Sequence, residues 1–166
     1  PKLIYPFSPF LIQCAGCDVS PTGKVNFRGR GAKRNSPEFS FTRKVQALIT
    51  ATMLTSREIV EQVGMFDEIF SPDQFEDIDY CYRIRQKGYN LYCYPEVEMY
   101  HFENVTTSNT KSLNPVYNTV KNGMKFKEKW KEVFSTENGP DESEMRWKKI
   151  PKVELKKIDI EALYQN

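Results

Sequence analysis

The sequence has no long apolar run, little excess of either charge and a single histidine. No stretch approaches the roughly 20 apolar residues that a membrane-spanning helix needs. The start, Pro1-Lys2-Leu3, lacks the charged and then apolar layout of a secretory signal. It also lacks an initiator Met, which suggests a piece cut from a longer chain. We therefore expect a cytoplasmic protein, and the sequence leaves open a peripheral association with the inner face of the membrane.

The charges are nearly balanced, with 24 Lys and Arg against 22 Asp and Glu and a net charge of +2. This balance argues against a dedicated nucleic-acid-binding protein, which usually carries a concentrated basic face. A basic loop over residues 28–34 and a lysine-rich helix near the end keep open a weaker reading as a surface for nucleic acid or anionic lipid. Interleaved acids in that helix dilute its field, and we expect the loop to be mobile with solvated charges.

The size and composition indicate one compact domain or part of one. A chain of 166 residues can bury a single core. Its hydrophobic share of 39% and aromatic share of 13% are typical of globular proteins and too high for a disordered chain.

The four cysteines are interpreted as structural. Cys14 and Cys17 have the spacing of redox pairs and zinc half-sites, but no second such pair follows. Residues 11–19 read as one strand, and no helix pattern begins at Cys17, as a redox helix would require. Zinc or redox chemistry remains the alternative.

Strand and helix patterns alternate along the chain. An apolar run over residues 45–54 predicts a strand buried on both faces, as in α/β sheets. Ser56 and Gly64 bound a predicted short helix over residues 58–63. Further patterns predict a helix over 75–87 and short strands over 90–94 and 98–102. A last helix begins near Pro115, and its apolar positions are Val116, Tyr117, Val120, Met124, Phe126, Trp130 and Phe134.

Two features carry potential chemistry. Glu76, Asp77 and Asp79 lie at the start of a predicted helix, where carboxylates are stabilised by free backbone N–H groups. Three acids directly after an irregular loop exceed what capping needs, and one of them can serve as a general base. His101 lies at the end of a predicted strand, where a neutral imidazole can bind a cation or a phosphate. Helix capping and a structural histidine are the alternatives.

A series of motifs in this order resembles family 2 glycosyltransferases. The motifs are PKL at residues 1–3, IQCAG at 12–16, ITATML at 49–54, VGMFDEIF at 63–70, FEDIDYCYR at 75–83, KGY at 87–89, YP at 94–95, His101, and FKEKW at 126–130. The likeness covers roughly residues 1–134, and it corresponds to the C-terminal, acceptor-side half of the catalytic domain. Residues 135–166 form a charged C-terminal tail.

The resemblance implies an α/β fold of the A-type glycosyltransferase class, a mixed sheet flanked by helices. It implies inverting transfer from a nucleotide-diphosphate sugar to an acceptor hydroxyl, with Asp77 as the catalytic base. Glu76 is expected to position the acceptor, and Asp79 to stabilise its helix through Arg83. His101 is expected to contact the metal or the donor diphosphate, and the loop over 104–114 to close over the donor. The acceptor side is expected to be lined by Thr50, Ala51 and Thr52.

The resemblance also implies partners that this chain cannot hold by itself. The family binds Mn²⁺ or Mg²⁺ through an Asp-any-Asp motif upstream of the PKL segment, and the sequence begins after that point. We therefore expect the isolated chain to be inactive and to bind no cation. The full-length enzyme would use a glycan or lipid-linked acceptor in bacterial polysaccharide biosynthesis, and a half-domain invites homo-oligomerisation. The alternative is a catalytically silent fragment that binds a glycan or a protein.

Overall fold

Seven short strands and four α-helices occur in the residues that the computed structural model describes, namely 1–103, 105, 114–151 and 153–164. The strands are β1 (Lys2–Ile4), β2 (Ile12–Cys14), β3 (Cys17–Val19), β4 (Val25–Phe27), β5 (Arg43–Val45), β6 (Leu91–Cys93) and β7 (Glu98–Tyr100). The helices are α1 (Arg57–Val63), α2 (Glu76–Gln86), α3 (Pro115–Phe134) and α4 (Ile160–Leu163). The chain is therefore a mixed α and β structure.

The helix boundaries follow the capping residues. The Ser56 side chain accepts a hydrogen bond from Ile59 N–H at the start of α1, and Gly64 ends this helix with a φ of 82°. Asn114 caps α3 in the same way, and Pro115 occupies the first helical position. These helices and α2 confirm the sequence predictions to within a residue or two.

The strands form three small sheets rather than one continuous sheet in the described part of the chain. The first has the order β2-β1-β7, with β1 antiparallel to β2 and parallel to β7. The other two are the antiparallel pairs β3-β4 and β5-β6. An isolated bridge between Cys17 and Ala47 joins β3 to the segment after β5.

The predicted buried strand over residues 45–54 is wrong. The strand β5 ends at Val45, the chain forms a 3-10 turn over Thr50–Thr52, and Leu54 is 94% exposed. Next to this end, the Gln46 side-chain amide accepts from Val19 N–H at 2.8 Å and donates to Val19 O at 3.0 Å. Beyond β5 the run keeps one isolated bridge, between Ala47 and Cys17, before it turns at Thr50.

The cysteine segment is two strands instead of the one predicted over residues 11–19. Gly16, at a φ of 90°, separates β2 from β3, and a Cβ there would come within 2.6 Å of Val45 Cγ1. All four cysteines are buried free thiols. The Cys14 thiol donates to the Gly16 carbonyl at 3.3 Å, which fits a structural role.

The core is centred on aromatic rings where α2 meets α3. Tyr82 contacts Phe126, Trp130 and Phe134, with ring centroids 5.3 to 5.6 Å apart. Edge-to-face and tilted contacts of this kind favour a fixed arrangement of the two helices. The C-terminal half of α3 thereby fixes α2 in place.

The predicted apolar face of α3 is correct only for its C-terminal half. Phe126, Trp130 and Phe134 are buried, whereas the four earlier apolar positions are exposed: Val116, Tyr117, Val120 and Met124. Near the start of the helix the buried side chains are the amides Asn118 and Asn122. Asn122 donates to the carbonyls of Phe70 and Asp73, so this half of α3 holds a loop instead of packing into apolar core.

The basic loop over residues 28–34 is paired, contrary to the prediction of mobile, solvated charges. Arg28 binds Asp18 at 2.8 Å, Arg30 binds Glu103 at 2.8 Å, and Arg34 binds Glu98 at 2.6 Å. Since each of these arginines has an acidic partner, little positive field remains to attract a polyanion.

The segment after α3 packs onto the rest of the chain. Glu137 forms an ion pair with Arg85, the Met145 side chain is buried, and the Trp147 ring contacts Phe27. The helices of the described part include none that is both long enough and apolar enough to cross a membrane.

Candidate active site

A cavity of about 750 Å³ brings together most of the residues singled out in the sequence. It is lined by Glu76 and Asp77 from the start of α2, by His101 after β7, and by Ala51 from the 3-10 turn. Its size lies within the range of small-molecule sites, which is about 300 to 1,000 Å³. Ala51 and His101, which are 50 positions apart in the sequence, thus line the same cavity.

The backbone just before α2 is strained. Gln74 and Phe75 have φ values of 77° and 73°, in the left-handed region that residues other than glycine seldom adopt. The Phe75 ring is anchored by Phe126, at a centroid distance of 5.3 Å, and lies over Gly123, which has no side chain to displace it. Strain of this kind is common where a fold fixes functional groups. The conformation of these two residues sets the direction of the first turn of α2, which carries Glu76 and Asp77.

The Asp77 carboxylate lies at the inner wall of the cavity. Its Oδ1 accepts from Ile78 N–H at 2.8 Å, and its Oδ2 accepts from Thr50 N–H at 3.4 Å. Burial and then the neighbouring Glu76 charge raise the pKa of Asp77 from its usual 3.8 to about 7, although these backbone donors oppose the rise. At neutral pH the group is therefore able both to take up and to release a proton.

The Glu76 side chain is half-buried beside Asp77. Its Oε2 is enclosed and has no hydrogen-bond partner among the described residues. Burial, followed by the charge of Asp73, raises the pKa of Glu76. An enclosed acceptor without a donor is costly, so this oxygen is an unfavourable feature of the fold at a residue that also lines the cavity.

His101 is held by a buried glutamine. Its Nδ1 lies 2.7 Å from Oε1 of Gln13, a residue with no exposed surface. With the amide oxygen facing the ring, Nδ1 carries the proton and Nε2 is left as an acceptor. Burial lowers the pKa of His101, against the opposing charge of Glu103, and thereby favours the neutral form of the ring.

The predicted acceptor residues Thr50, Ala51 and Thr52 form the 3-10 turn that faces the start of α2. Ala51 lines the cavity, and Thr50 contributes its backbone N–H to Asp77. Thr52 is not among the residues that line this cavity. The turn therefore contacts the Asp77 carboxylate through a backbone N–H group rather than through a threonine hydroxyl.

Asp79 has the structural role predicted for it, and its partners are more numerous than expected. The carboxylate is fully buried, and its Oδ2 accepts from Arg83 Nε at 2.9 Å. Its Oδ1 accepts from Lys129 Nζ and from the Trp130 indole N–H, each at 2.8 Å. Asp79 therefore joins α2 to α3 and lies away from the cavity.

The potential metal ligands among the described residues do not form a complete cation site. No group of three or more His, Cys, Asp or Glu side chains suited to a metal ion is found in the described ranges. His101 could contribute one nitrogen to a site whose other ligands lie elsewhere. The predicted closing loop over 104–114 falls outside the described residues, apart from Val105 and Asn114.

The sequence patterns missed several cavity residues. Gln13 belongs to a quoted motif but carried no predicted role, and Trp147 lies in the tail beyond the resemblance. Val116, Thr119 and Val120 line the cavity from the exposed start of α3. The apolar periodicity of α3 was visible, but it did not distinguish a cavity wall from core.

Comparison with known proteins gives one short similarity. The chain resembles a protein of Sinorhizobium fredii (strain NBRC 101917 / NGR234) named Uncharacterized protein y4gI, with 37% identity over 60 residues. The match spans 36% of this chain and only 7% of that protein. No protein-family model matches the chain, and no solved structure matches it.

Proposed function

We propose that this chain is the acceptor-side, base-carrying half of an inverting family 2 glycosyltransferase with an A-type fold. The observation that supports this most directly is the Asp77 carboxylate, which lines a cavity of about 750 Å³ beside Glu76 and His101 and has a pKa raised to about 7. A general base works best when its pKa lies near the working pH. The choice of family in this proposal rests on the ordered series of sequence motifs.

In the proposed reaction Asp77 takes the proton from an acceptor hydroxyl. The hydroxyl oxygen then forms a bond to the anomeric carbon of the donor sugar from the side opposite the leaving group. The bond between that carbon and the diphosphate oxygen breaks, and its electron pair leaves with the nucleoside diphosphate. Attack from the opposite side inverts the anomeric centre, and Asp77 ends the step protonated.

Neighbouring groups support this role of Asp77. The Thr50 N–H holds one carboxylate oxygen and the Ile78 N–H holds the other, and each oxygen has a further lone pair with which to accept the proton of the acceptor. Glu76 lines the same cavity and would accept a hydrogen bond from a second acceptor hydroxyl. Groups fixed in this way reduce the entropy lost as the reactants are aligned.

The donor side of the reaction needs residues beyond this chain. A divalent cation, Mn²⁺ or Mg²⁺, offsets the charge of a departing diphosphate when it is bound. His101 would supply at most one ligand to it, and the nucleotide would be held by the other half of the catalytic domain. The acceptor is a glycan or a lipid-linked sugar, and the enzyme would act in the cytoplasm.

The proposal is tested with the full-length protein and a panel of nucleotide-diphosphate sugars in the presence of Mn²⁺ or Mg²⁺. Release of the nucleoside diphosphate measures donor use, and proton NMR of the product gives its anomeric configuration. We expect donor consumption and a product anomer opposite to that of the donor. A product that retains the donor configuration would contradict the mechanism.

Absence of donor consumption with every sugar nucleotide would contradict the enzyme proposal. The second reading, a silent fragment that binds a glycan or a protein through the same cavity, would then be favoured. Direct titration with free oligosaccharides distinguishes it, because that reading predicts binding without turnover.

A further inference from the structure

Gln13 is a fully buried glutamine in the middle of β2, and it lines the cavity. Its Oε1 lies 2.7 Å from Nδ1 of His101, whereas its Nε2 has no hydrogen-bond partner among the described residues. Burying an amide with one end unsatisfied is costly, and an apolar side chain would serve the packing of a buried strand better. The contact with the His101 ring is therefore the feature of Gln13 that calls for an explanation.

A second glutamine, Gln46, shows how a structural amide is bonded in this fold. Its Oε1 accepts from Val19 N–H at 2.8 Å, and its Nε2 donates to the Val19 carbonyl and to Glu137. Both ends of that side chain are used, and they join separate parts of the chain. Gln13 differs because its side chain contacts a cavity-lining imidazole through the oxygen alone.

The contact determines which nitrogen of His101 carries the proton. A neutral imidazole has one N–H donor and one acceptor nitrogen, and an amide oxygen only accepts. With Oε1 of Gln13 against Nδ1, the proton lies on Nδ1 and the lone pair of Nε2 is left for another group. Histidine free in water favours the opposite tautomer, with the proton on Nε2, so the fold has to overcome that preference. Within the described part of the chain, Gln13 is the one hydrogen-bond partner of this ring.

The backbone also holds His101 in place. The residue follows β7 directly, and its N–H donates to the Ile4 carbonyl of β1 at 3.0 Å. Gln13 comes from β2, which lies on the other side of β1 in the sheet order β2-β1-β7. The side-chain hydrogen bond thus connects segments from both outer strands. The ring is fixed at its backbone and at Nδ1 before a ligand arrives, as is usual for a histidine that binds through its other nitrogen.

We propose that Gln13 is the positioning residue of His101, which selects the Nδ1–H tautomer and so presents an unprotonated Nε2 at the cavity. A nitrogen of this kind accepts a hydrogen bond or binds a cation, and it has no proton to donate to a phosphate oxygen. The inference rests on the proposed function for the group that Nε2 meets, the cation of the donor side. Gln13 acts through His101 and has no catalytic role of its own.

Long-range proton–nitrogen NMR tests the tautomer directly, because His101 is the only histidine of the 166-residue chain. Spectra at about pH 9, where imidazoles are neutral, show which ring nitrogen is protonated. We expect the wild-type proton on Nδ1. Gln13→Met has a side chain of similar length without an oxygen, and its ring should change to the Nε2–H tautomer. Gln13→Glu keeps an oxygen acceptor and should keep Nδ1–H.

Gln62→Met is the matched control, because Gln62 lies on the exposed side of α1 and its amide bonds only to Glu58 of the same helix. This variant should give the wild-type tautomer. A wild-type ring protonated on Nε2 would overturn the inference, since the amide nitrogen of Gln13 would then face the ring. A folded Gln13→Met protein that kept Nδ1–H would also overturn it. The wild-type spectrum decides the matter if Gln13→Met does not fold.

The consequence for the reaction is measured in the full-length protein. Gln13→Met should lower kcat/KM for the sugar nucleotide at least about tenfold, as expected when the group that orients a metal-binding histidine is lost, and Gln13→Glu should recover part of the loss. An unchanged kcat/KM in a variant with an altered tautomer would overturn the positioning role. Absence of donor use by the wild type would instead contradict the proposed function, and the tautomer found by NMR would be unaffected.

Discussion

Asp77 and Asp79 are two residues apart in α2 and have opposite environments. Asp79 receives three charged or indole donors and is fully buried, so its lone pairs are occupied. Asp77 receives two backbone N–H groups and faces a cavity. The same side chain thus joins two helices at one position and lines the cavity at the other, where the proposed function assigns the base. Environment, rather than residue type, separates the two roles.

The raised pKa of Asp77 predicts how stability varies with pH. Between about pH 4 and pH 7 the folded protein keeps the Asp77 proton while the unfolded chain loses it, so the free energy of unfolding falls as pH rises through that window. Asp77→Asn removes the ionisation. We expect the variant to gain stability relative to wild type across this range, by up to about 4 kcal/mol. Urea unfolding at several pH values measures the difference.

Asp67→Asn is the control for this experiment, because its effect has the opposite sign. The Lys129 hydrogen bond lowers the pKa of Asp67, so this carboxylate stabilises the folded protein above the pKa of the unfolded chain. Its replacement should therefore cost stability by an amount that is constant above about pH 4 and shrinks as pH falls below it. If the stability gained in Asp77→Asn were as constant between pH 4 and pH 7 as the cost of Asp67→Asn, the raised pKa of Asp77 would be disproved.

At the scale of elements, α3 positions the start of α2 from two directions. Its amides Asn118 and Asn122 hold the loop at Asp73, and its ring at Phe126 holds Phe75. These contacts hold Asp73, which precedes the two residues with positive φ, and Phe75, which is the second of them. The geometry of Glu76 and Asp77 therefore depends on a helix about 40 residues further along the chain.

The link between α2 and α3 through Asp79 predicts a large loss of stability on truncation. Asp79→Ala leaves the Arg83 and Lys129 charges and the Trp130 N–H without this partner. Breaking a buried ion pair in this way costs about 3 to 5 kcal/mol. Thermal and urea unfolding measure it. Glu128→Ala is the matched control, because its ion pair with Lys131 is exposed and its loss should cost less than about 1 kcal/mol.

The elements that could be predicted are those with local signals. Ser56 and Gly64 mark the ends of α1, and the extent of α2 followed from its apolar periodicity. The strand predicted over residues 45–54 is wrong because an apolar run carries no information about pairing, and the 3-10 turn over Thr50–Thr52 that interrupts it has no local signal. Likewise, only the fold shows that Asn118 and Asn122 are buried. The strain at Gln74 and Phe75 has no local signal either.

At the scale of the whole molecule, the cavity is assembled from parts that are distant in sequence. Gln13, Asp77, His101 and Trp147 come from four segments, and only the middle two carried chemical predictions. The tail, residues 135–166, shows no helix or strand periodicity because it runs along the surface of the preceding part of the chain instead of forming one long helix or strand. Its contribution to the cavity was therefore inaccessible from the sequence, whereas the motif around Asp77 made that residue a candidate in advance.

The most direct test of the central claim is transfer by full-length protein carrying Asp77→Asn. The amide keeps the size of the side chain and removes its basicity, and the variant is expected to be at least as stable as wild type at neutral pH. We predict a fall in kcat of at least about 100-fold, as expected for loss of a general base. Glu61→Gln, a change to an exposed carboxylate on α1, should leave the rate unchanged. Transfer by a folded Asp77→Asn protein at close to the wild-type rate would contradict the account.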